Sequence, residues 1–213
     1  MSLAKFNTAK GWFEKLRDQL VNSLENLDTK KFKITDWDHK SDGGGRMSKI
    51  NSSVIEKGGV NISSVSGKFE KNMIGNIPGT ENNSSYKATG ISVVLHPNSP
   101  HIPSMHFNTR YLQTEKEWFG GGMDITPCLP FEDEKNYHNS LEKMCNKFNK
   151  TYYKEYKKWC DDYFYLPHRK EARGIGGIFF DYLHSDDWGN DFDFIQAVGN
   201  FFHYYSTETI KKL

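Results

Sequence analysis

A two-residue alternation in the middle of the chain restricts its fold more tightly than any other feature. Ile91, Val93 and Leu95 alternate with Ser92, Val94 and His96. After a stretch broken by Pro97, Pro100 and Pro103, residues 105–110 (MHFNTR) alternate again. Successive side chains of a strand point to opposite faces, so His106, Asn108 and Arg110 share one face and Phe107, Thr109 and Tyr111 the other. A face bearing an imidazole, an amide and a guanidinium is poor core material, whereas its reverse is good core. The segment 118–127 (WFGGGMDITP) then places a lone acid, Asp124, between Met123 and Ile125. A carboxylate in an apolar strand needs a partner or a function.

Around these strands the apolar spacing changes to that of helices. Trp12, Leu16, Leu20, Leu24 and Leu27 predict an amphipathic helix over 8–27, and residues 131–148 predict another with His138, Leu141 and Cys145 on one face. Tyr152, Tyr156, Trp159 and Tyr163 mark a third that ends before Pro167, and a last helix runs from Asn190 to Leu213. The glycine-rich segment 41–46 (SDGGGR) is expected to break the chain as a turn after a short strand, and Gly58-Gly59 to turn between two strands within 50–65. The segment 74–85 reads as a polar loop, and 178–183 as a buried strand after a Gly-Ile-Gly-Gly turn. Neither triple glycine carries the Lys-Ser/Thr ending of a phosphate loop or a GxGxxG spacing, which argues against nucleotide binding.

At 213 residues the chain suits one domain. With 36% hydrophobic but 15% aromatic residues, its interior must be built largely from rings, or its rings must line a pocket. A net charge of +1 gives no long-range attraction to nucleic acid or to an anionic membrane, so any anion must be bound locally. Only five of the 28 basic residues are arginines, namely Arg17, Arg46, Arg110, Arg169 and Arg173. Arginine matches a carboxylate with a planar fork that lysine lacks, so arginine retained in a lysine-rich chain points to carboxylate recognition. Three widely spaced cysteines build neither a disulfide framework nor a zinc knuckle. No run reaches the length of a membrane span, and the expected setting is soluble and cytoplasmic.

The densest concentration of chemistry is residues 157–181, KKWCDDYFYLPHRKEARGIGGIFFD. This stretch closely resembles the signature of oxygen-dependent coproporphyrinogen III oxidases. So do GGGRMS at 43–48, EKGGVNIS at 56–63, the HP…HFNTR pattern at 96–110 and WFGGGMDITP. The resemblance runs in order through nearly the whole chain. It implies an α+β fold in which a large antiparallel sheet is flanked by helices on both faces, and it implies a homodimer. The implied reaction is oxidative decarboxylation of two propionates of coproporphyrinogen III to the vinyl groups of protoporphyrinogen IX, with release of carbon dioxide and hydrogen peroxide, in haem biosynthesis.

The same resemblance assigns roles to individual residues. Ser92, Asn108, Thr109 and Arg110 fall where the family contacts substrate, and Arg46 lies in a second matching motif. His106 falls on a proton donor, Asp124 on the acid that meets the pyrrole N–H groups, and Arg173 on an arginine that holds a propionate. His96, His106, His138 and His168 match positions sometimes assigned to a divalent metal. They lack short ligand spacing, and the expectation is that no cofactor is required, with oxygen as co-substrate. Family members continue beyond the equivalent of Leu213, so a chain short at its C-terminus is expected. Two other readings remain open at this stage: a tetrapyrrole-binding module without catalysis, and a metal-dependent hydrolase built on the histidines.

Overall fold

The computed structural model describes residues 2–212, so the forecast helix end at Leu213 lies outside the described residues. Helix α1 (Leu3–Glu25) starts earlier than its apolar stripe predicts because Ser2 caps it, its hydroxyl accepting from the Lys5 N–H at 3.4 Å. Six strands follow: β1 (Lys33–Asp38), β2 (Asp42–Ile50), β3 (Ile55–Lys68), β4 (Ser85–Pro97), β5 (Ser104–Gln113) and β6 (Glu117–Thr126). Helices α2 (Glu134–Cys145) and α3 (Tyr152–Tyr163) come next, then the small hairpin of β7 (Tyr165–Leu166) and β8 (Glu171–Ala172). Strand β9 (Gly176–Leu183) and helix α4 (Trp188–Ile210) complete the described chain. The seven strands β1 to β6 and β9 form one antiparallel sheet in that spatial order, an α+β architecture.

Helix α1 packs on β3 and β4, and α4 on β5 and β6. They cover the face that carries Ile91, Val93, Leu95, Phe107, Tyr111, Met123 and Ile178, all buried. Phe107 stacks on Phe202 of α4 with ring centroids 4.9 Å apart, so the apolar half of the alternation is the core. Truncating a ring so enclosed costs roughly 3–5 kcal/mol. Helix α3 lies along β9 and reaches both faces of the sheet. Its Tyr156 meets Phe180 on the helix-covered face, at 5.1 Å between ring centroids, and Tyr163 stacks on Phe179 on the other, at 4.2 Å.

The glycine-rich segments depart from expectation. Gly43 to Gly45 are not a turn but part of β2, paired with Val65, Ser64 and Ser63 of β3. Gly58-Gly59 lie inside a single fourteen-residue strand, β3, and the reversal instead falls at residues 51–54. There the Ser52 hydroxyl accepts from the N–H groups of Val54 and Ile55. Low strand propensity loses here to tertiary pairing, because a neighbour on each side supplies a full ladder of hydrogen bonds.

Candidate active site

Cα register aligns three rows of side chains across the sheet face opposite α1 and α4. The first row runs Trp37, Gly45, Ser63, Gly90, Arg110, Gly120. The second is Asn61, Ser92, Asn108, Gly122, Phe179, and the third Gly59, Val94, His106, Asp124, Gly177. Glycine at six of these sixteen positions lowers the floor between the side chains that rise from it. Two adjoining clefts lie over it and share Ser92 and Asn108. One, of about 440 Å³, is bounded by Trp37, Asn61 and Arg110, and the other, of about 210 Å³, by His106, Asp124, Phe164, Arg173 and Phe179. Together they reach the size of small-molecule sites, roughly 300–1,000 Å³.

Asp124 is the buried acid of this face, only 3% exposed. Arg173 Nη2 donates to both its oxygens, at 2.9 and 2.8 Å, and His106 Nδ1 lies 3.4 Å from its Oδ2. A buried carboxylate is tolerated only with such partners. His106 in turn faces His96, with the two Nε2 atoms 3.4 Å apart. Burial, followed by the neighbouring His106 and Lys57, pulls His96 below the ordinary histidine value. The Arg173 guanidinium sits 3.8 Å above the Phe164 ring, a cation–π contact that steadies it at the cleft wall.

The turn that carries Arg173 is fastened from three sides. Gly174 and Gly176 take left-handed backbone angles, φ +60° and +72°, which glycine alone adopts without strain. The Ile175 N–H donates to the Ile125 carbonyl at 3.2 Å, and Tyr137 Oη donates to the Gly176 carbonyl at 3.3 Å. His138 Nε2 donates to the Ile175 carbonyl at 3.0 Å while its Nδ1 accepts from Tyr153 Oη at 3.0 Å.

The sequence-expected residues therefore divide. His106, Asp124, Arg110, Arg173, Ser92, Asn108 and His96 stand on one face, around two connected clefts. The side chains of Arg46 and Thr109 do not; they point to the opposite face. Arg46 aligns with Ile62, Ile91 and Thr109 on the helix-covered face. There it is held by Asp36 through Nε at 2.7 Å and Nη2 at 2.9 Å. Thr109 is fully buried on that same face. Period two governs both cases: in GGGRMS it turns Gly45 and Met47, not Arg46, toward the polar face.

The four histidines do not come together. His96 and His106 meet, but both ring nitrogens of His138 are spent on Ile175 and Tyr153, and His168 is exposed beyond β7. Among the described residues no three His, Cys, Asp or Glu side chains gather as a metal site. These donors do not fit a single metal sphere.

Asp181 joins the site without being among the residues expected from the sequence. Its Oδ2 accepts from Arg110 Nη2 at 2.6 Å, on the same face as the clefts. The signal that singled out Asp124, a lone acid within an apolar strand, was equally present in GGIFFDYL. Phe164 and Phe179 also line the smaller cleft, although 178–183 is expected as a buried strand.

The chain matches the family model described as coproporphyrinogen III oxidase over residues 8–212. It is similar to the oxygen-dependent coproporphyrinogen-III oxidase of Rickettsia akari (strain Hartford), at 46% identity over 210 residues, covering 93% of this chain and 75% of the relative. The protein of the same name from Rickettsia bellii (strain OSU 85-389) is 48% identical over 199 residues, 88% of this chain and 71% of the relative. That of Rickettsia rickettsii (strain Sheila Smith) is 44% identical over 210 residues, with coverage of 93% and 75%.

Proposed function

Because the chain belongs to the coproporphyrinogen III oxidase family, we propose that the glycine-floored face of its sheet is where coproporphyrinogen III undergoes oxygen-dependent oxidative decarboxylation. This is the work of an oxidoreductase of haem biosynthesis. In each of two propionates a C–H bond and the bond to the carboxylate break and a C=C bond forms. Carbon dioxide leaves, and the two electrons released reduce oxygen to hydrogen peroxide.

The convergence of Asp124, His106, Arg173 and Arg110 on one face, beside a glycine-rich floor, carries this reading. A macrocycle lies flat only where few side chains rise, and its carboxylates need fixed cations. Asp124 faces the pyrrole N–H groups as base or orienting acceptor, and Arg173 aims it through two hydrogen bonds. Arg173 takes a propionate only with the N–H groups that Asp124 leaves. Arg110 clamps a propionate, Ser92 and Asn108 line the middle of the face, and His106 moves the proton, 3.4 Å from Asp124. The reading assigns no metal or organic cofactor to the step, because the reduced pyrrole is electron-rich enough to meet oxygen directly. A homodimer and a cytoplasmic setting belong to the same reading; among the described residues no helix is long and apolar enough to cross a membrane.

Blocking one face at a time tests the placement. Ser92→Trp fills the middle of the polar face, whereas Arg46→Ala alters the opposite one. Titration with coproporphyrin III, followed by fluorescence, is expected to show about tenfold or greater weakening for the first and less than about twofold for the second. The reverse pattern would move the site to the helix-covered face.

A further inference from the structure

We infer that Asp181 is the positioning residue that aims Arg110 at a substrate carboxylate. The inference rests on the functional reading above, in which Arg110 binds a propionate. Arginine has a long, freely rotating side chain, so a binding fork needs something to hold its direction. Arg110 has unusually little to lean on, since its cross-strand neighbours are Gly90 on β4 and Gly120 on β6. Its anchor is Asp181 Oδ2, at 2.6 Å from Nη2.

The anchor is itself anchored. Asp181 Oδ1 accepts from the Tyr182 N–H at 2.9 Å, and Tyr182 stands at φ +55°, a left-handed angle that costs energy for any residue but glycine. Gly120 makes the space for the pair. A Cβ at that position would collide with Asp181 Oδ1 and sit 3.2 Å from Arg110 Nη2. Only one guanidinium nitrogen is taken by Asp181, and the remaining donors are left for a ligand carboxylate lying over the glycine floor.

The alternative role for an acid in this place is competition: Asp181 would merely occupy Arg110 and oppose substrate. Two substitutions separate the cases, because Asp181→Asn keeps an oxygen for Nη2 while losing the charge, and Asp181→Ala loses both. Binding of coproporphyrin III to the 213-residue chain by fluorescence titration is the readout. A positioning role predicts about tenfold weaker binding for Asp181→Ala. It predicts that Asp181→Asn stays within about twofold of the unsubstituted chain or binds tighter. The difference between the two should vanish in an Arg110→Ala background, and in turnover Asp181→Ala should raise KM with kcat little changed.

Should Asp181→Ala fail to fold, Gly120→Ala, which keeps the acid but crowds the pair, carries the same expectation. Tighter binding by both Asp181 variants would overturn the inference. So would a loss in Asp181→Ala that persists undiminished without Arg110. Failure of the unsubstituted chain to bind the porphyrin would overturn the functional reading itself, and the inference with it.

Discussion

Asp124→Asn should leave a folded protein that barely turns over. Asp124 is 3% exposed and its side chain is almost wholly enclosed, while the side chain of its partner Arg173 is 31% exposed. Breaking a fully buried ion pair costs about 3–5 kcal/mol and an exposed one about 0–1 kcal/mol. With one partner buried and the other in contact with water, the loss falls at about 1–3 kcal/mol, softened because the amide can still accept from Arg173. In a chain of this size that lowers the melting temperature by about 2–12 °C. Turnover is a different matter, since removing a positioned base costs roughly 10²–10⁴-fold. Thermal melting by circular dichroism and conversion of coproporphyrinogen III at 25 °C, well below the transition, measure the two effects separately. Turnover within about threefold of the unsubstituted chain at saturating substrate would refute the role given to Asp124.

Three further outcomes follow from other parts of the structure. Tyr153→Phe and His138→Ala each break the bridge between α2, α3 and the Arg173 turn, so each should destabilise by about 1–2 kcal/mol, with effects that are not additive in the double variant. Loss of a stoichiometric metal from His138→Ala, measured by elemental analysis, would contradict the bridge. Burial holds His203 below the ordinary histidine value, with Nε2 2.8 Å from Ser23 Oγ. The unfolded chain therefore takes up the proton first. Stability present above about pH 6.5 declines as the pH falls through the folded value, and urea midpoints at several pH values should show a shallower decline in His203→Gln. Burial pushes the thiols of Cys145 and Cys160 up to about 12, whereas Cys128 is exposed. Alkylation of the native protein at pH 8, read by mass spectrometry, should modify Cys128 alone.

Much of this architecture can be read from local pattern, and the remainder depends on contacts that local pattern does not contain. The stripe of α1 and the alternation of β4 and β5 separate core from site because burial imposes the helix and strand periods directly. Asp124 stood out because an acid between Met123 and Ile125 has no local partner. The glycines misled, since Gly43 to Gly45 and Gly58-Gly59 are extended only through pairing with strands on both sides. Arg46 was placed by motif alone, although strict period two sends it to the face of α1. The Arg110–Asp181 pair joins residues 71 apart in sequence, and no spacing rule reaches that far. His138 was grouped with the other histidines by type, whereas its partners, Ile175 and Tyr153, come from other elements.

Conversion of coproporphyrinogen III by this chain under air and under strict anaerobiosis tests the central claim most directly, with vinyl product, carbon dioxide and hydrogen peroxide counted together. The account predicts equal amounts of the three under air, and no conversion without oxygen. Vinyl product formed anaerobically, or formed in air without matching peroxide, would contradict it.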